Sequence, residues 1–171
     1  MDGFINGLDR SLQEENWYAA LAMSLTLPDI CVKASDLSKR TTGPKYAVWF
    51  DENVGHKYRR PVGADRQIHV FLSGNDCYAL RCAFLHAGSA DISAERIRET
   101  LGRFYFCMPG RLNNRWHLNQ RNDALILMVD EFAADVLEAA RLWWERLEPA
   151  RRDAARRTHL VLQDTDGLTG F

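Results

Sequence analysis

Two side chains in one short segment have the chemistry needed to cleave RNA without a metal ion. Arg81 and His86 lie five positions apart in the apolar run 80–87, and Gly88 follows. Histidine transfers protons near neutral pH, and arginine binds a phosphate group and the negative charge that develops on it. His86 would deprotonate a ribose 2′-hydroxyl or protonate the leaving oxygen, while Arg81 would stabilise the phosphorane. The alternative interpretation is structural, with Arg81 paired to a carboxylate and His86 capping a helix end.

The spacing of this pair constrains how a shared site is built. Five residues turn an α-helix through about 500°, so the two side chains point roughly 140° apart. A joint site needs a curled arginine side chain, a histidine on a fraying last turn, or a second protomer. A two-fold axis would bring two Arg81–His86 pairs together, which favours a homodimer. The adjacent Trp143 and Trp144 support this prediction, since one can lie in the core and the other in an interface.

Basic residues beside an aromatic residue form a second candidate site. Lys57, Arg59 and Arg60 flank Tyr58, and such mixtures hold single-stranded nucleic acid by charge and stacking. Single-stranded RNA is therefore a candidate partner. The alternative is a solvated loop whose charges bind nothing.

The sequence carries no complete set of metal ligands. Cys82 and His86 lie one helical turn apart, which is a two-ligand edge of a metal site, but no second pair accompanies them. The chain also has no phosphate-binding glycine-rich loop, no dinucleotide-binding motif, no serine-hydrolase motif and no HExxH motif. We therefore predict neither a metal ion nor a cofactor.

The composition predicts one cytoplasmic domain. Of 171 residues, 46% are hydrophobic, which is enough for a core without disulfides. The 22 basic and 23 acidic residues give a net charge of −1, which argues against a high-affinity binder of duplex DNA. The four cysteines include no CxxC pair, and the first residues do not resemble a signal peptide. No apolar run reaches the roughly 18 residues that span a membrane, so we expect no membrane partner and a reducing compartment.

Local signals place the candidate segment on a helix. Ser73 fits an N-cap with Asp76 at the third helical position, and Gly88 fits a left-handed C-cap. We therefore predict a central helix over 74–87. Asp76 either caps this helix or orients Arg81.

Two further helical segments should pack against the central helix. Apolar residues recur at helical spacing over 4–27, as one bent helix or two consecutive ones, and Pro28 ends this element. Asp29 would cap whatever begins next. We expect residues 16–27 and 130–147 to provide the packing surfaces.

The remaining elements are shorter. Pro44 can open a small amphipathic helix, and residues 56–66 are predicted to form an exposed loop. The aromatic run 104–108 indicates a strand, residues 115–118 its partner, and residues 124–129 a short buried strand.

Together these elements predict an α+β protein that is mostly helical, with a small antiparallel β insertion at about 103–129 before the last long helix. We expect a single domain over 1–157 and a C-terminal tail over 158–171.

The segment 79–88, Ala-Leu-Arg-Cys-Ala-Phe-Leu-His-Ala-Gly, resembles the R-x(4–6)-H signature of the HEPN superfamily. That resemblance implies an antiparallel helical bundle, often dimeric, in which the Arg and His of two protomers face one cleft. Active members are metal-independent endoribonucleases, many of them bacterial toxins or defence effectors. The resemblance assigns the catalytic roles to Arg81 and His86.

The resemblance is not complete. Cys82 stands where many active members have a polar residue, and Gly88 stands where some toxins have a tyrosine. Phrases at 16–21, 27–31 and 45–51 are similar to uncharacterised bacterial proteins, which imply no activity. The sequence therefore leaves two functions open: a metal-independent ribonuclease or RNA-binding protein, and a non-catalytic helical homodimer that binds an unidentified protein partner.

Overall fold

The computed structural model describes residues 1–37, 40–110, 112, 114–160 and 162. The described chain contains six α-helices: α1 (Asp2–Gln13), α2 (Trp17–Ser35), α3 (Gly43–Asn53), α4 (Gly74–Ala87), α5 (Val129–Arg146) and α6 (Pro149–Thr158). A 3₁₀ turn, Gly55–Tyr58, precedes five strands: β1 (Arg59–Val62), β2 (Gln67–Val70), β3 (Arg103–Cys107), β4 (Asn119–Arg121) and β5 (Ala124–Met128). The protein is therefore α+β and mostly helical, as the sequence predicts.

The strands form two small sheets. β1 and β2 make an antiparallel ribbon, whereas β5 is the middle strand of a mixed sheet, parallel to β3 and antiparallel to β4. His69 Nε2 and Gln120 Oε1 lie 2.8 Å apart and link the ribbon to the mixed sheet.

The helix α2 is the centre of the core. It packs against α1, α3, α4, α5 and α6. Side chains with no more than 1% exposure come from all these helices: Leu8, Leu25, Tyr46, Leu80, Val136 and Ala155. The helix α2 as a whole contacts α4, but α3 rather than residues 130–147 provides the main surface against α4.

Pro28 does not end α2, so that prediction is wrong. The helix continues through the proline to Ser35. A proline inside a helix costs about 3 kcal/mol. However, α2 fully buries Leu25 and Leu27 at this point, and each such side chain contributes about 1.5–3 kcal/mol. Asp29, predicted as a cap, consequently lies within the helix.

The predicted antiparallel β insertion is correct in place and only partly correct in direction, because β4 and β5 are antiparallel but β3 and β5 are not. The strands β3 and β5 lie where the sequence predicts them, but they are parallel, with Phe104 opposite Leu125. Residues 115–118, predicted to be a strand, precede the short β4 instead. The connection over 108–123 is long enough for the crossover that a parallel pair needs, and an apolar run does not encode strand direction.

The predicted exposed loop over 56–66 is exposed from residue 59 onward, but Tyr58 is buried and the segment is not irregular. It contains β1, which pairs with β2 across a turn. Gly63 and Arg66 adopt φ values of +72° and +50° there. The alternating residues of β2 are the local signal that would have predicted this ribbon.

Both predicted ends of α4 are confirmed. The hydroxyl of Ser73 accepts a hydrogen bond from the backbone N–H of Asp76 at 3.1 Å. At the other end, Gly88 has φ +63° and donates its N–H to the carbonyl of Phe84 at 2.8 Å. The helix that carries the candidate residues is therefore defined by its own local sequence.

One hydrophobic cluster extends from Ile5 in α1 to Ala155 in α6. Of the predicted tail over 158–171, only residues 158–160 and 162 are among the described residues. The boundary between domain and tail stays a prediction.

Candidate functional site

Arg81 is held by an ion pair between α4 and α2. Its Nε donates to Oδ2 of Asp29 at 2.8 Å, and the two side chains are 23% and 18% exposed. The carboxylate comes from the stretch of α2 that follows Pro28. The unexpected continuation of α2 therefore supplies the partner of Arg81.

Burial governs the titration of this ion pair. Desolvation raises the pKa of Asp29, and Arg81 only partly offsets that effect. Desolvation also acts to lower the pKa of Arg81, but Asp29 and Cys82 outweigh it, so the guanidinium stays charged. Beside them, burial and a hydrogen bond with the Cys82 thiol raise the pKa of Tyr78. These side chains form a half-buried polar cluster around the guanidinium of Arg81, which is always charged.

His86 lies in the last turn of α4 and is exposed. Its imidazole ring has no hydrogen bond or ion pair with the described residues, and therefore none with Arg81, which pairs with Asp29. Within one chain, Arg81 thus lies at the contact between α4 and α2, whereas His86 is exposed to solvent and accessible to a ligand or a second protomer.

The three basic residues predicted to bind nucleic acid separate in the structure. Lys57 pairs with Asp135 at 2.8 Å and with Glu138 on α5. Arg59 donates to Asp51 at 3.1 Å. Arg60 is exposed and has no carboxylate partner among the described residues. The nucleic-acid prediction for Lys57, Arg59 and Arg60 therefore depends on Arg60.

Sequence reasoning missed two charged partners that lie far along the chain. Asp29 pairs with Arg81 across 52 positions. Asp135 accepts hydrogen bonds from Lys57 and from the Tyr58 hydroxyl, the latter at 3.1 Å across 77 positions. Burial and the Asp135 carboxylate raise the pKa of Tyr58. No local signal marks such pairs, because both depend on how helices pack.

His117 anchors the loop before β4. Its Nδ1 accepts the backbone N–H of Met128 at 3.2 Å, so the proton of the neutral ring lies on Nε2. Burial lowers the pKa of His117, the carboxylates of Glu131 and Asp135 oppose this shift, and Arg60 adds to it. The folded state therefore favours the neutral form of the His117 ring.

This geometry predicts a loss of stability in mild acid. Because the folded pKa of His117 is depressed, its contribution is complete above the unfolded value of about 6.5 and is lost as the pH falls towards the folded pKa. One proton changes the free energy of unfolding by at most about 1.4 kcal/mol per pH unit. Asparagine can present Oδ1 where Nδ1 lies, so His117→Asn should flatten the slope between pH 7.5 and 5.5 in urea titrations.

The exposed His56 provides the control for that experiment. His56→Asn makes the same chemical change at an exposed ring, so it should flatten the slope less than His117→Asn does. Equal slopes for the wild type and His117→Asn would contradict the role given to His117.

No group of three or more His, Cys, Asp or Glu side chains in the described part of the chain is arranged to hold a metal ion. Over the same residues, no helix has the length and apolar character that crossing a membrane requires.

Comparison with known proteins provides no evidence on function. No protein-family model matches the sequence, and no curated protein or solved structure matches it significantly. The HEPN assignment therefore depends on the segment 79–88 and stays a prediction.

Proposed function

We propose that this chain is a HEPN-like, metal-independent endoribonuclease of the bacterial toxin or defence type, active as a homodimer. The proposal is based on one observation: two residues of α4 differ in their contacts. Arg81 is fixed by Asp29, while His86 is exposed and has no partner among the described residues.

The ion pair prepares Arg81 for a phosphate. Asp29 engages Nε, and the two terminal nitrogens of the guanidinium retain donors in a fixed plane. Planar paired donors match two oxygens of a phosphate and stabilise the charge that grows on them. Asp29 is a positioning residue in this scheme.

His86 supplies the proton transfer. The ring accepts the proton of the 2′-hydroxyl, the 2′-oxygen attacks the phosphorus, and the bond from phosphorus to the 5′-oxygen breaks. The protonated His86 ring gives that proton to the leaving 5′-oxygen, which yields a 2′,3′-cyclic phosphate and a 5′-hydroxyl and returns the ring to its neutral form. Since Arg81 and His86 point about 140° apart, the arginine of one protomer works with the histidine of its partner.

Cleavage in the presence of EDTA tests this reaction. The purified protein should cut end-labelled single-stranded RNA, and His86→Ala and Arg81→Ala should each lower the rate by about 10²–10⁴-fold. The exposed His56→Ala and Arg96→Ala provide matched controls, and circular dichroism checks that every variant is folded. Unchanged cleavage by His86→Ala would exclude this site.

Mixing the two inactive variants tests the shared site. A heterodimer of Arg81→Ala and His86→Ala contains one site with both native side chains, so random exchange should restore about a quarter of the wild-type activity. No restoration, despite subunit exchange seen by light scattering of tagged chains, would contradict a site built from two protomers.

The ion pair of Arg81 also favours the second candidate, a non-catalytic homodimer that acts as a protein-interaction module. In that case Arg81→Ala and Asp29→Ala should lower the free energy of unfolding by similar amounts. The wild type and all variants should then show no RNA cleavage above background. The two functions therefore give opposite results in the same assay.

A further inference from the structure

The ribbon of β1 and β2 is exposed along nearly its whole length. Ile68 and Val70 of β2 are 66% and 39% exposed. Among the described elements, β2 packs extensively only against β1, and the contact between His69 and Gln120 links it to the mixed sheet. Exposed β-branched side chains on a strand with an open edge indicate a surface that another strand can cover.

The hydrogen-bond pattern of the ribbon shows which backbone groups point away from it. The N–H of Phe71 donates to the carbonyl of Tyr58 at 2.9 Å, so these two residues form a hydrogen-bonded pair. Hydrogen-bonded and non-hydrogen-bonded pairs alternate along antiparallel strands. Ile68 and Val70 therefore belong to non-hydrogen-bonded pairs with β1, and their N–H and C=O groups face the outer edge of β2. No hydrogen bond from another described residue reaches these groups.

The two outer edges of the ribbon differ. Pro61 lies opposite Ile68, so its nitrogen, which carries no hydrogen, faces the outer edge of β1 and weakens pairing there. Arg60 also carries a charge on β1, and charged side chains discourage edge pairing. The residues of β2, Gln67–Val70, include no proline, lysine, arginine or carboxylate. Of the two strands, only β2 thus keeps both donors and acceptors on an unprotected edge.

We propose that β2 pairs antiparallel with β2 of a second copy of this chain, about a two-fold axis at His69. Ile68 of each copy then forms a hydrogen-bonded pair with Val70 of the other, which uses the outward N–H and C=O groups of both residues. The axis places these apolar side chains on one face of a four-stranded sheet. The segment 67–71, which pairs with itself, holds no Asp, Glu, Lys or Arg, so no such like charges oppose each other.

The same features favour a second copy over other occupants. An edge with alternating donors and acceptors accepts an extended backbone, and the occupant needs apolar side chains on the face of Ile68 and Val70. The strand β2 itself meets both requirements. Four-residue edges bury less than the roughly 1,200 Å² of a stable interface, so the pairing is weak and depends on protein concentration. It involves neither Arg81 nor His86 and does not depend on the ribonuclease proposal.

Amide exchange with water, measured by NMR on the wild-type chain, tests the pairing. Between about 10 µM and 1 mM protein, exchange at Ile68 and Val70 should slow by about 5-fold or more. The amides of Gln67 and His69, which face β1, should be protected at both concentrations, and that of Arg59 at neither. Fast exchange of Ile68 and Val70 at both concentrations would overturn the proposal. So would slow exchange at both, because a segment of the same chain would then cover the edge.

A charge on the paired edge gives a second test with the same readout. In Ile68→Lys, like charges lie close to the two-fold axis, so exchange at Val70 should no longer change with protein concentration. Val62→Lys makes a comparable change at a 41% exposed side chain of β1, away from the paired edge, and should keep the concentration dependence. Circular dichroism checks that both variants are folded. The same behaviour in the two variants would overturn the proposal.

Disulfide trapping tests the register. His69 lies opposite its own copy in a non-hydrogen-bonded pair, whose Cα atoms are about 4.5 Å apart, and a disulfide spans that separation. With the partly exposed Cys82 and Cys107 changed to serine, His69→Cys should form an intermolecular disulfide at least about 10-fold faster than Gln67→Cys. Gln67 is more exposed than His69, so random collision would give the opposite order. Equal or reversed rates would overturn the proposed pairing.

Discussion

Replacement of Gly74 by alanine is expected to destabilise the protein by about 3 kcal/mol or more, because a side chain there overlaps the backbone of α3. A Cβ on Gly74 would lie 2.1 Å from the carbonyl oxygen of Ala47 and 2.6 Å from its Cα. Neither atom belongs to a flexible side chain, so α4 would have to move away from α3. Urea unfolding followed by tryptophan fluorescence measures the change in the free energy of unfolding.

Gly110→Ala is the control for this substitution. Gly110 is exposed, and a Cβ there meets nothing within 4 Å, so the expected change is within about 0.5 kcal/mol. A Gly74→Ala protein as stable as Gly110→Ala would contradict the close approach of the two helix backbones. Such a result would also remove the main support for the position of α4.

The ends of α4 follow from the sequence, but its closest contact does not. Ser73 and Gly88 act on backbone groups within five residues of themselves, so local patterns reveal both. The approach of Gly74 to Ala47 joins residues 27 positions apart. Glycine is common near the start of a helix, so the residue type alone does not reveal that another backbone lies against it.

The wrong predictions share one physical cause, which is that packing overrides local preference. Pro28 has a strong intrinsic tendency to end a helix, yet α2 continues because the residues around it are buried against several helices. The strands β3 and β5 are likewise parallel, although the same apolar pattern suits either direction.

The candidate site was predictable in part. The types of Arg81 and His86 and the resemblance of segment 79–88 make them candidates from the sequence, and their catalytic role stays a prediction. The partner that holds Arg81 was not predictable, because Asp29 follows a proline that indicates the start of a new element. Its carboxylate reaches Arg81 only because α2 does not end at Leu27.

Asp76 ties the start of α4 to the loop before β3. Its carboxylate is 1% exposed. Oδ1 accepts the backbone N–H of Glu99 at 2.7 Å, and Oδ2 accepts the N–H and the hydroxyl of Thr100, each at 3.4 Å. The Ser73 hydroxyl donates to Oδ2 at 3.3 Å. The carboxylate thus stabilises a distant loop instead of only capping its helix, and it does not orient Arg81.

Asp76→Asn is expected to lower the free energy of unfolding by about 3 kcal/mol. The amide keeps the shape of the carboxylate, but its NH₂ group must face a backbone N–H of Glu99 or Thr100, so a buried donor loses its acceptor. The substitution also removes a negative charge near the N-terminus of α4, where the helix dipole favours one.

Asp65→Asn, at an exposed turn, makes the same chemical change and should leave stability within about 0.5 kcal/mol of the wild type. Hydrogen exchange locates the effect, because the amides of Glu99 and Thr100 should lose protection before the rest of the chain. Full protection of both amides in Asp76→Asn would show that Asp76 does not hold this loop.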